Sequence, residues 1–79
     1  MEWTPTYIYL LRRHIGDTQQ QFAERLGLRR RHTVMDWEAG RANPGGAAKK
    51  LLDVVANDNG FTERVAARLR EKLQREEGE

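Results

Sequence analysis

The residues of this chain best suited to chemistry are cations and amides rather than nucleophiles or paired acids. Arg29, Arg30 and Arg31 are consecutive and are followed by His32. A guanidinium group presents five N–H donors in a planar fork, which pairs with a phosphate or with the acceptor edge of a guanine. That density of charge suits a polyanion, and it equally suits a solvated basic turn. No catalytic device competes with it. The chain has no cysteine and no serine, carries no glycine-rich phosphate loop, and spreads its acidic residues in surface patterns instead of pairing them in an apolar setting. His14 and His32 are the only histidines. They stand a turn and a helix apart without a matching carboxylate pattern, so neither a metal nor another cofactor is expected, and the chain does not read as an enzyme.

A chain of 79 residues holds one compact domain, so function must sit on its surface and not in a cleft between domains. Without disulfides or thiolate metal sites, packing alone must hold the fold together. The charge is uneven: residues 1–50 carry nine Lys/Arg against five Asp/Glu, and residues 51–79 carry five against seven. The basic excess therefore lies in the half that holds the arginine cluster. No apolar run approaches the roughly 20 residues of a membrane span, and Met1-Glu2-Trp3-Thr4-Pro5 lacks the basic and apolar regions of a signal peptide. A cytoplasmic protein without membrane contact is expected.

The elements that must position these residues read as helices throughout. Thr4-Pro5 is a cap followed by a proline that loses no hydrogen bond at the first helical position, so a first helix opens near Pro5 and runs to about His14, before Gly16. Thr18 and Gln21 form a capping box that starts a second helix over about 18–26, with Phe22, Ala23 and Leu26 inward and Gly27 at the turn. The spacing predicts a third helix over about 30–39, anchored by Thr33, Val34, Trp37 and Glu38 and ended by Gly40. Asn43-Pro44 repeats the cap-then-proline signal for a fourth helix. Its residues Leu51, Leu52, Val54, Val55 and Ala56 are expected to be buried. After the break at Asn57 to Gly60, Thr62 and Glu63 open a fifth helix to about Glu76, with the last residues frayed. The expected division is a DNA-binding unit over 1–60 and an amphipathic C-terminal helix over 61–79.

Two short helices joined at Gly27 make a helix-turn-helix, and here the residues carry a family resemblance. The stretch Thr18 to Pro44 has a Thr-Gln opening, Phe22-Ala23, Leu26-Gly27-Leu28, then Thr33-Val34, Trp37-Glu38, Gly40 and Pro44. It resembles the XRE (Cro/CI, lambda-repressor-like) family, about a third of the chain being closely matched. Each matched residue also has a packing reason, since Ala23 is small where two helices cross and Leu28, Val34 and Trp37 lock the third helix onto the second. One departure stands out. Four residues, Arg29 to His32, separate Leu28 from Thr33, one more than the family pattern carries.

The resemblance implies an all-α, five-helix lambda-repressor-like fold whose third helix enters the major groove of double-stranded DNA. Counting back from Trp37, it turns Arg30, Arg31, His32, Met35 and Asp36 toward the bases, with Arg29 as the extra turn residue. Arg30 or Arg31 would fork onto a guanine and Met35 would touch a thymine methyl. Asp36 either accepts from a cytosine amino group or turns aside to pair with an arginine. The backbone contacts implied are Thr18, Gln19, Arg29, Thr33, Arg41 and Asn43, although Arg41 could equally pair with Glu38.

The apolar stripe Phe61, Val65, Leu69 and Leu73 has two uses, as cover for the domain's own core or as the seam of a homodimer reading a palindromic operator. Two functions follow from the resemblance. One is a transcriptional regulator acting as a repressor. The other is an antitoxin that neutralises a toxin protein and regulates its own operon, because the segment from Glu38 to Leu52 is similar to XRE domains of HigA-type antitoxins. A neighbouring toxin-like reading frame would favour the second.

Overall fold

The computed structural model describes the backbone of residues 1–77 and the side chains through Glu76. Five helices follow one another as α1 (Pro5–Ile15), α2 (Gln19–Arg25), α3 (Arg31–Ala39), α4 (Gly46–Asp58) and α5 (Glu63–Glu77). No strand occurs among the described residues, so the all-α, five-helix expectation holds. The fraying expected at the C-terminal end falls partly on residues 78–79, outside the described residues. The radius of gyration is 12.1 Å, close to the value of about 12 Å that a compact chain of this length takes.

The local signals act where they were read. The Thr4 hydroxyl accepts the Tyr7 N–H at 3.2 Å, which opens α1 beside Pro5. At α2 both arms of the capping box are made: Thr18 Oγ1 accepts from the Gln21 N–H at 3.1 Å, and the Thr18 N–H donates to Gln21 Oε1 at 2.8 Å. Thr62 caps α5 through the Val65 N–H at 3.2 Å. Each device satisfies amides that a helix end otherwise leaves without partners.

One helix start agrees with the expectation within a residue, and another differs from it. α3 begins at Arg31, and Arg30 is its extended N-cap (φ −134°, ψ 142°) with no side-chain cap bond. α4 begins at Gly46, so Asn43 and Pro44 stand outside it and Gly45 is the cap. Two successive glycines favour the unfolded backbone too strongly to extend the helix back to the proline, and Pro44 is instead buried in the connection.

One core unites the five helices. Ile8 and Leu11 of α1, Phe22 and Ala23 of α2, Val34 of α3 and Leu52 of α4 are all fully buried, with Trp37, Ala56, Phe61, Ala66 and Leu73 around them. Trp3, which precedes every helix, is part of this core. Its indole stacks on Phe61 (centroids 6.4 Å apart, planes at 19°) and its Nε1–H donates to Asp53 Oδ1 at 2.8 Å. His14 closes the same corner, Nε2 donating to the Asn59 carbonyl at 2.8 Å in the Nε2-protonated form while the ring lies 5.6 Å from Phe61.

The amphipathic stripe of α5 belongs to this core. Phe61 and Leu73 are buried in it, and Val65 and Leu69 pack against it half-buried. These four residues therefore cover the core of their own chain, the first of the two uses expected of them. α4, expected to be buried broadly, is buried on one side only. Leu52 and Ala56 point inward, whereas Leu51 and Val54 are 46% and 55% exposed. A single helix at the edge of a small domain has one face to bury, and these two residues lie off it. No helix among the described residues is long and apolar enough to cross a membrane.

Neighbouring leucines of α4 should thus differ sharply. Leu52→Ala is expected to cost about 2–5 kcal/mol of stability and Leu51→Ala less than about 0.5 kcal/mol. Urea denaturation of the two variants checks this, and equal costs would contradict the packing of α4.

Candidate nucleic-acid interface

The connection from α2 to α3 is short and tightly specified. Leu26 ends α2, Gly27 takes a left-handed φ of 75°, and the Leu28 N–H returns to the Ala23 carbonyl at 2.8 Å. Only glycine reaches that φ cheaply, so Gly27 sets the angle at which the chain leaves α2. Val34 and Trp37 then hold α3 against α2, near the fully buried Phe22 and Ala23.

Helical periodicity places His32, Met35 and Asp36 on the side of α3 opposite the buried Val34 and Trp37. His32 is exposed and Met35 and Asp36 are half-buried. Arg31 opens the helix, and Arg30 and Arg29 extend the same end backward into the turn. Arg29, Arg30 and Arg31 are all exposed. None of them makes a hydrogen bond or ion pair among the described residues.

The other arginines up to residue 41 are all engaged. Arg12 holds Glu38 through two bonds, Nε to Oε2 at 2.7 Å and Nη2 to Oε1 at 2.9 Å, with a third to the Asp17 carbonyl at 3.1 Å. Arg25 pairs with Asp17 through two bonds of 2.7 and 3.1 Å. Arg13 reaches the Tyr9 hydroxyl at 3.3 Å and lies over its ring. Arg41 donates from Nε to Asp36 Oδ1 at 3.0 Å. Of the two alternatives for Asp36, the structure thus has the arginine pair. The Arg41–Glu38 pairing does not form, because Glu38 is taken by Arg12.

Glu38 also accepts the Gln19 side-chain amide at 3.3 Å. Gln19, half-buried at the first turn of α2, consequently braces α3 from the side. Thr18 is held in the capping box, Thr33 is half-buried, and Arg41 and Asn43 are exposed beyond Gly40. The hydrogen bonds to Glu38 raise the Arg12 pKa above the usual arginine value, its partial burial opposing them. A raised cation pKa contributes stability below the unfolded value and loses it only above the folded one. This pair therefore persists across all ordinary pH on the arginine side.

The Arg12–Glu38 tie is the element that sequence reasoning missed. Glu38 was placed on the inner side of α3, which signals a partnered carboxylate. No local spacing, however, singles out a guanidinium 26 residues earlier.

The electrostatics at the start of α3 run against the fold. The first turn contains no acidic residue, and three cations crowd the positive end of the helix dipole. Each such cation is unfavourable by about 0.3–1 kcal/mol. Free amides, the dipole and unpaired guanidinium groups together make a surface suited to an anion with regularly placed oxygens.

Comparison of the chain with protein-family models, curated proteins and solved structures finds no match.

The two carboxylates of α3 should respond differently to neutralisation. Glu38→Gln is expected to lower stability by roughly 1.5–3 kcal/mol because Arg12 loses a charged acceptor in a nearly enclosed site. Asp36→Asn, whose partner is exposed, is expected to change it by less than about 0.5 kcal/mol. Thermal denaturation distinguishes them, and a reversed order would contradict the assignment.

Proposed function

We propose that the chain is a sequence-specific double-stranded DNA-binding regulator of the XRE, lambda-repressor-like type, acting as a repressor by occupying its operator. The single observation that carries this reading is the set of three exposed, unpaired arginines at the N-terminal end of α3. They stand where they oppose the helix dipole and where no carboxylate among the described residues answers them. A packing role cannot account for them, whereas a phosphate and a guanine edge can.

In this reading Arg30 and Arg31 fork onto base edges, and His32 and Met35 face the groove further along α3. Asp36 remains beside Arg41, so its charge is offset near the phosphates. Thr18 and Gln19 bring the first amides of α2 to one strand, and Arg29, Thr33, Arg41 and Asn43 reach the backbone on either side. A second copy completes a palindromic site. Exposed Leu51 and Val54 of α4 and half-buried Val65 and Leu69 of α5 offer apolar surface to that copy.

Stability and binding should move in opposite directions at Arg30. Arg30→Ser supplies the missing cap and is expected to stabilise the fold by about 0.5–2 kcal/mol while weakening DNA binding. Arg31→Ala is expected to cost roughly 1–3 kcal/mol of specific affinity. Melting curves and electrophoretic titration against the gene's own upstream sequence read both quantities. Wild-type affinity for that DNA in both variants, at several salt concentrations, would overturn the reading.

A further inference from the structure

The cationic residues of α5 are not accounted for by the interface at α3. Arg64, Arg68 and Lys72 recur every four residues, so they form one stripe about 12 Å long. All three are exposed and none has a hydrogen-bond or ion-pair partner among the described residues. Glu71, beside the stripe, is bound to Arg75 at 2.6 Å, and exposed Glu76 follows Lys72 at the same spacing of four. Like charges at i,i+4 repel and weaken a helix, so three successive cations at that spacing cost the helix stability.

The stripe is separated from α3 by α1. Pro5 and Arg12 are on one side of α1, where a Cβ built at Gly40 would lie 3.9 Å from the Pro5 ring and Arg12 grips Glu38. Thr6, Leu10 and His14, about 150° round the same helix, face α5: Thr6 and Leu10 line a groove with Ala66, Arg70 and Gln74, and the His14 ring lies 5.6 Å from Phe61. The α5 stripe points about 160° away from that groove. A duplex seated on α3 therefore leaves Arg64, Arg68 and Lys72 free.

We propose that this outer face of α5 is a second nucleic-acid contact, by which a molecule seated on one duplex through α3 grips the phosphate backbone of another. The bridging step rests on the α3 reading; the α5 contact has its own observations. Two of the three cations are guanidinium groups, which fit phosphate oxygens bidentately, and a duplex strand presents a phosphate about every 3.4 Å of axis along the stripe. The contact reads no bases, so any duplex satisfies it.

The test immobilises the upstream duplex, loads the protein and adds a fluorescent duplex of unrelated sequence. Wild-type protein is expected to retain the second duplex. The R64Q/R68Q/K72Q variant is expected to lose at least about tenfold of that retention while holding the first duplex normally. The second step should show a log–log salt slope of about −2.7, at roughly 0.9 per phosphate contact. Thermal denaturation should give the variant equal or higher stability, light scattering should give it the same mass as wild type, and R64K/R68K, which keeps the charge, should retain capture. Wild-type protein that holds the first duplex and captures no second one overturns the inference and leaves the α3 reading standing. Wild-type capture by the folded triple variant also overturns it, as does a stripe that binds anionic phospholipid vesicles and no second duplex. Failure to hold the first duplex defeats the α3 reading instead. The stripe is then judged by whether the triple variant loses the remaining salt-sensitive DNA binding; unchanged binding overturns it.

Discussion

Three helices meet at the carboxylate of Glu38. Arg12 comes to it from α1 with two charge-assisted bonds, Gln19 comes from α2 with its amide, and the carboxylate itself belongs to α3. The apolar core sets how close these helices lie, but apolar contacts are non-directional and tolerate rotation and sliding. A bidentate pair with side chains only 13% and 10% exposed does not, because a small displacement leaves a desolvated charge without its partner. The angle of α3, and with it the direction in which residues 29–36 point, therefore follows from this tie as well as from Val34 and Trp37.

Against that rigid frame the arginine cluster stands out as the part of the molecule that folding does not need. Arg30 occupies a cap position without capping, and Arg31 follows it at the positive end of a dipole. Nearby arginines answer Asp17, Asp36 and Glu38, while these three answer nothing within the described chain. Local conflict of this kind, in a domain whose α1, α2 and α5 are each capped by a threonine side chain, is the pattern expected where a surface is arranged for a ligand in preference to stability. The proposed DNA contact supplies the missing counter-charge.

What could be read from the sequence was what is local. The caps at Thr4, Thr18 and Thr62, the glycine turn and the inward face of α2 depend on residues within one or two turns, and each appears in the structure. The start of α4 was misplaced because Asn43-Pro44 is a good local signal overruled by the two glycines after it. Leu51 and Val54 were assigned to the core because an apolar run does not say how many of its sides are covered. Trp3 and Arg12 escaped notice for a different reason. Their partners, Asp53 with Phe61 and Glu38, are brought to them only by the packed fold. The residues of the candidate site were legible as a cluster of charge, and their freedom from internal partners was not.

The central claim is that the N-terminal end of α3, braced by α2, is the surface that meets DNA. Amide chemical-shift mapping with one equivalent of the upstream duplex tests it residue by residue. The largest perturbations are expected over Thr18–Gln21 and Arg29–Asp36. No perturbation at residues 29–36 while the duplex is bound would contradict it.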